Sequence, residues 1–338
     1  MRKSIFHEPW WLDAVAPGRW REIIAERGGR VAGYLHYAER MMGNLRICEM
    51  PPITRVLGPV IEPQGSKTES RLRYSHSIMQ ELMDALAAFD HVEMTLDPAC
   101  NDVAAFLASG YDVRIMPNLL LDCRVSEETL WQGLRDKTRN LIRRARERLT
   151  VSEILDPEAF IAFYLGNLGE DASYFDVNLV RAIHAAATTR DQGRILAAID
   201  GDGVVHAAVF FVWDADYVYY YLSTRDKCVA DTGAVSLLIW EGIEIARKRE
   251  ITFDFDGVMT EQRYKFMAAF GGHHAARYLV SRTTPRFEKQ RQLRGLARSL
   301  VPDWMRQKSA PPVARPDGEA APTLHRLSPR LTELSRAI

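Results

Sequence analysis

Between residues 193 and 249 the chain reads "GRILAAID", "VVHAAVFFVW", "YVYYYLST" and then "AVSLLIWEGIEIARKR". The first three runs are rich in β-branched and aromatic residues, and the "GDG" turn between the first two predicts strands in hairpin succession. The fourth carries apolar residues at helical spacing and predicts a helix. A strand over "ITFDFDG", a helix around "QRYKFMAAFGG" and a last strand over "ARYLVSR" follow. Strands in sequence, then a helix leading back to a strand, predict a mixed α/β (α+β) fold with a mostly antiparallel sheet flanked by helices.

The first half has the same texture. "GRVAGYLHYAER" predicts a strand, "SRLRYSHSIMQELMDALAAF" a helix through Ile78, Leu82, Met83, Leu86 and Phe89, "HVEMTLDP" a strand, and "CNDVAAFLASG" a helix closed by Gly110. "YDVRIMPNLLLD" predicts a strand whose Pro117 marks an edge or bulge. Trp10 and Trp11 beside Pro9 are expected to anchor the first helix. Next, "SEETLWQGLRDKTRNLIRRARERL" predicts one basic helix with Ser126 as its cap. A chain of 338 residues is long for one domain. The expected division is a first domain over 1–125, the basic linker helix over 126–150, a second domain over 151–285, a basic helix over 286–304 and a disordered Pro- and Ala-rich tail over 305–338.

Composition excludes several classes. With 47% hydrophobic and 26% charged residues the chain has the makeup of a globular protein, and no apolar run reaches membrane-spanning length. Its beginning lacks the apolar core of a signal peptide, so a cytoplasmic location is expected. A formal net charge of zero argues against a DNA-coating protein. Cys48, Cys100, Cys123 and Cys228 form no CxxC pair and the histidines no HxxxH or HExxH, so neither metal site nor disulfide framework is expected.

Several residues are candidates for chemistry. Asp254 and Asp256 alternate with Phe253 and Phe255, which on a strand gives both carboxylates one face; Asp256, nearer the strand's end, is the stronger candidate to take a proton. The alternative is that both cap the following turn. Arg139, Arg143 and Arg146 share one flank of the basic helix, suited either to phosphates or to solvated ion pairs. In "YVYYYLST" Tyr219 and Tyr221 share a face with Tyr217, opposite Tyr220, and line either a cleft or a core. Lys265, four residues after Glu261, forms an ion pair on a helix surface in its plainest reading.

Four stretches carry a resemblance: "FHEPWWLDAV", "KTRNLIRRARE", "TGAVSLLIWEGIEIARKR" and "FDFDGVMTEQRYKFMAAFGG". In order and spacing they resemble the FemAB-like acyltransferases of the GNAT superfamily, relatives of the Fem-type peptidoglycan aminoacyl transferases. The resemblance implies tandem GNAT-like domains, the second receiving the donor where adjacent strands splay apart over a helix N-terminus. It implies donor binding by Arg225, Thr232, Gly233 and Ala234, and catalysis by Lys265 beside Tyr264, the ammonium polarising a donor carbonyl. The implied activity is transfer of an acyl or aminoacyl group to an amine of a small molecule or cell-envelope precursor. Acyl-CoA or aminoacyl-tRNA is the donor substrate, with no permanently bound cofactor and tRNA as a possible partner. An acyl-CoA-dependent N-acetyltransferase of a small metabolite and a silent anion-binding module are the alternatives. The chain lacks the coiled-coil insertion of some Fem enzymes and a clear R/QxxGxG/A loop, which leaves the donor open.

Overall fold

The structure is a computed structural model that describes residues 3–100, 102–168, 176–257 and 260–299. The expected tail over 305–338 and the end of the C-terminal basic helix lie outside the described residues. In chain order, a single 3-10 turn (Ile5–His7) precedes α1 (Pro9–Val15), β1 (Trp20–Arg27), β2 (Arg30–Met42), β3 (Leu45–Glu49), β4 (Val60–Ile61), α2 (Thr68–Leu86), β5 (His91–Thr95), α3 (Val103–Ala108) and β6 (Asp112–Asp122). Then come α4 (Glu127–Gly133), α5 (Asp136–Arg146), β7 (Leu149–Glu153), α6 (Pro157–Leu168), α7 (Val177–Thr189), β8 (Gly193–Asp200), β9 (Val205–Trp213) and β10 (Tyr217–Arg225). The order closes with α8 (Ala234–Lys248), β11 (Thr252–Asp254), α9 (Glu261–Ala268), β12 (His273–Thr283) and α10 (Pro285–Ser299).

These elements form two compact units, one holding residues up to 117 and again from 276, the other residues 118–275. In the first unit β1, β2 and β3 are antiparallel neighbours, β3 runs parallel to β5, and β5 pairs antiparallel with β12. The apolar stripe of α2 covers this sheet, with Ile78, Met79, Leu82, Met83 and Leu86 buried against Leu35, Val92 and Met94. Period-3.6 spacing on α2 and period-2 spacing on β5 bring those side chains to one core. Phe287 of α10 closes a smaller cluster with Leu45 and Ile47 and stacks on His91 at 4.6 Å.

The second unit follows the same plan. β7, β8, β9 and β10 are successive antiparallel neighbours, β10 runs parallel to β11, and β11 pairs antiparallel with the end of β6. Its core is more aromatic, built from Phe211, Trp213, Phe253, Phe255 and Phe270 against Leu237, Trp240 and Ile243 of α8. Sheet and helices alternate as the hydrophobic pattern predicts.

One element departs from expectation. The single basic helix expected over 126–150 is two helices, because Leu134 and Arg135 adopt extended backbone with ψ of 147° and 138°. Leu134 is thereby buried, and the Arg135 N–H donates to the Ala269 carbonyl at 2.9 Å. The chain then enters β7 at Leu149, a short strand that the helical pattern concealed.

Candidate functional site

The site begins with two parallel strands that part. β11 pairs with β10 from Tyr217↔Thr252 to Tyr219↔Asp254 and then stops, whereas β10 runs on to Arg225. Side-chain chemistry ends β11 at that point. The buried Asp254 carboxylate accepts the Asn118 Nδ2–H at 2.9 Å and the Asp256 N–H at 2.7 Å, and Asn118 Oδ1 accepts the Gly257 N–H at 2.8 Å. This forces Asp256 to a φ of +60°, a conformation open to Asp and Asn more readily than to most residues. Opposite, the register of β10 on β9 shifts between Tyr220 and Leu222, so Tyr221 sits in a bulge that bends the strand.

Over the parted strands lies the start of α8. Gly233, its N-terminal flanking residue, has a φ of +80°, and a Cβ there would meet Leu141 Cγ at 2.6 Å and the Leu141 carbonyl at 3.1 Å. Only glycine satisfies both the left-handed backbone and the close approach of α5. The loop before it is held twice. Asp231 accepts the Gly233 N–H at 3.1 Å, and the Thr232 hydroxyl lies 3.0 Å from His206 Nδ1, whose Nε2 lies 3.0 Å from Asp200.

Between these parts opens a cleft of about 530 Å³. Tyr220, Ser223, Thr224 and Arg225 of β10 form one wall, and Gln262, Arg263 and Phe266 of α9 another. Val235 and Ser236, in the first turn of α8, present the end of a helix where backbone N–H groups lack intrahelical partners. Neither Arg225 nor Arg263 forms an ion pair among the described residues, so two cations and a helix N-terminus share one concavity with a single carboxylate, Asp231, that accepts the Gly233 N–H. That combination attracts anions. Burial raises the Tyr220 phenol above the ordinary tyrosine value, and its hydrogen bond with Ser223 and the Arg263 charge partly offset the rise. Tyr220 is therefore a protonated donor at neutral pH.

The structure gathers some sequence candidates and disperses others. Arg225 lines the cleft, and Gly233 and Ala234 open α8 beside it, whereas Thr232 is engaged by His206. Of the tyrosines, Tyr220 forms the wall. Tyr219 donates its hydroxyl to Asp214 at 3.0 Å and Tyr221 packs edge-on against Phe210, both on the face of β10 opposite Tyr220 and the cleft.

Arg139, Arg143 and Arg146 do not meet in the cleft. Arg139 donates to the carbonyls of Gln132 and Leu134, both at 2.9 Å, capping the end of α4. Arg143 and Arg146 lie over the Trp131 ring at 5.4 and 5.8 Å, and Arg146 pairs with Glu241. The surplus of arginine along this helix thus serves a helix end and an indole face. Asp256 and Asp254 do not share a strand face, since β11 ends at Asp254; both belong to the turn. Lys265 pairs with Glu261 at 2.6 Å with its side chain 72% exposed, while Tyr264 stacks on His274, their polar atoms 3.1 Å apart. Sequence reasoning missed Tyr220, Ser223, Thr224 and Arg263. Arg263 was within reach, two residues before Lys265 in the same motif.

Parallel strands that separate over a helix N-terminus, in a mostly antiparallel sheet flanked by helices, define a GNAT fold. Residues 132–266 match the acetyltransferase (GNAT) domain family. Among solved structures, the chain is similar to FemX at 12% identity and a TM-score of 0.60, over 82% of this chain and 91% of that one. It is also similar to the C-terminal domain of a protein described as a lysylphosphatidylglycerol synthetase from Agrobacterium fabrum, at 14% identity and a TM-score of 0.53, over 81% and 88%. A tandem GNAT protein from the clavulanic acid biosynthesis pathway aligns at 12% identity and a TM-score of 0.50, over 80% and 85%. No curated protein matches the sequence. Among the described residues, no helix is long and apolar enough to cross a membrane, and no group of three His, Cys, Asp or Glu is arranged to hold a metal.

Proposed function

We propose that the chain is an acyltransferase whose second unit takes an activated acyl or aminoacyl donor into the cleft between β10 and α9 and passes the acyl group to an acceptor amine. One observation carries this reading: β10 outlasts β11 over the N-terminus of α8, with Arg225 and Arg263, neither in an ion pair among the described residues, at the same cleft. Unpaired strand N–H groups suit a carbonyl oxygen that gains negative charge. The two guanidinium groups and the helix end suit the phosphates of the donor's carrier. Both coenzyme A and the end of a tRNA supply such phosphates. The amine nitrogen attacks the carbonyl carbon, the bond to the carrier breaks, Tyr220 gives its phenol proton to the departing atom, and the proton shed by the amine nitrogen restores the phenol.

Likeness to a lysylphosphatidylglycerol synthetase domain, whose name records lysine joined to a membrane lipid, supports an aminoacyl donor and a cell-envelope acceptor. A second reading, transfer from acyl-CoA to a small amine, is favoured by the acetyltransferase description of the family matched over 132–266. In both, Asp256 shapes the turn that ends β11, and Lys265, solvent-facing beside Glu261, supplies surface charge to α9. The test is product formation from acetyl-CoA or from a charged tRNA mixture with a panel of amines, with and without ribonuclease. Transfer abolished by ribonuclease assigns the tRNA donor, and transfer that persists assigns acyl-CoA. A folded protein that transfers from neither contradicts the proposal.

A further inference from the structure

The first unit contains a cavity of about 1280 Å³, more than twice the size of the cleft in the second. It lies along α2, and its lining residues Thr68, Arg71, Leu72, Ser75, His76 and Met79 recur at helical spacing. These residues continue, toward the start of α2, the same stripe that enters the core through Ile78, Leu82 and Leu86, so the cavity opens where that stripe runs past the packed core. Ile61 and Cys100 complete an apolar floor with Met79. Burial pushes the Cys100 thiol up to about 12, so it is a neutral wall element.

The polar end of the cavity is organised. Asp102 accepts the Ala105 N–H on Oδ1 at 3.3 Å, and its Oδ2 lies 3.0 Å from His76 Nδ1. With both carboxylate oxygens engaged, Asp102 holds the imidazole through Nδ1, and Nε2 has no hydrogen-bond partner among the described residues. Arg71, three residues beyond Thr68 and five before His76, has a weak contact with the Thr68 hydroxyl at 3.5 Å and no ion pair among the described residues. Leu72 is 67% exposed at the same face, an apolar side chain left uncovered beside a cation.

We propose that this cavity is a second ligand site, independent of the donor cleft, for a phosphate monoester carried on an apolar chain. Arg71 takes the charged phosphate oxygens in its planar fork. His76 Nε2 makes a hydrogen bond to a remaining phosphate oxygen or its hydroxyl. The apolar chain covers Leu72, Met79 and Ile61.

The experiment is titration calorimetry of the full chain with monomeric dodecyl phosphate, with inorganic phosphate and dodecyl maltoside as probes of head and chain alone. Dodecyl phosphate is expected to bind well above either. Arg71→Ala and Leu72→Asp, both at exposed positions, are expected to weaken it about tenfold or more, and Arg225→Ala to leave it unchanged. Cosedimentation with phosphatidylcholine vesicles containing phosphatidic acid, lost in Arg71→Ala, identifies the source as a lipid; dodecyl phosphate binding without cosedimentation identifies a soluble monoester. No binding of dodecyl phosphate, or binding insensitive to Arg71→Ala and Leu72→Asp in proteins with unchanged melting, overturns the proposal. Because Arg225→Ala reports on the other cleft, failure here leaves the acyltransferase reading intact, and the reverse holds.

Discussion

The two units share a chain order but part ways where a strand meets its parallel neighbour. In the second unit β10 continues for six residues past Tyr219, its last pairing with β11. In the first, β3 ends at Glu49, one residue after the Cys48↔Val92 pair, and the chain leaves through Pro51 and Pro52. Proline cannot extend a sheet ladder. The cleft over parted strands therefore forms in the second unit, while the first opens a cavity along the flank of its helix. The difference lies in small devices: a bulge at Tyr221, a left-handed Asp256 and a glycine at 233 that admits Leu141.

The sharpest way to break the comparison is to fill that glycine. Gly233→Ala is expected to lower stability by about 2–3 kcal/mol, from positive-φ strain plus the clash with Leu141, and to abolish donor binding while leaving the cavity along α2 intact. Chemical denaturation with donor titration checks both. Next in size, Tyr220→Phe is expected to reduce kcat about 100-fold with little change in KM for the donor, since it removes a proton and almost no volume. Arg139→Ala separates structure from binding. It removes the donors that cap α4 and is expected to cost about 1–2 kcal/mol of stability, with donor affinity unchanged.

A pH prediction follows from the histidines. Burial lowers His7 and His36 in the first unit, only partly opposed by Asp97 and Glu22. A buried neutral imidazole binds its proton less readily than in the unfolded chain, so its stabilisation is present above about pH 6.5 and is lost as pH falls through the lowered folded value. Amide protection in β2 is expected to weaken between neutral pH and about pH 5, and less so in His36→Gln. Smallest of all, Lys265→Ala is expected to leave turnover within about twofold, as for a solvated ion pair. A large loss of turnover would make the ammonium a working group and reassign the chemistry to α9.

Much of this was legible in the sequence. The strand and helix order of the second half follows from hydrophobic period and turn chemistry, while Gly233 at the entrance to α8 and Arg225 at its approach come from the family resemblance. Residues whose meaning depends on which face of a strand meets the cleft were less readable. Alternation places Tyr219 and Tyr221 on one face and Tyr220 on the other, and only the packed fold shows that the Tyr220 face borders the cleft. Arginine density suggested phosphate binding by Arg139, Arg143 and Arg146, but a planar guanidinium serves a helix end or an indole face equally well, and only three-dimensional neighbours decide. His76 and Asp102, 26 residues apart, likewise meet only in the fold.

Calorimetric titration of acetyl-CoA and of charged tRNA into the wild-type chain and the Arg225→Ala/Arg263→Ala double variant tests the central claim, that the parted strands form the donor site. The account predicts that one donor binds the wild-type chain, with affinity that falls as salt rises, and that the double variant binds it about 100-fold more weakly at unchanged stability. Equal binding by both proteins would place the donor elsewhere and contradict the account.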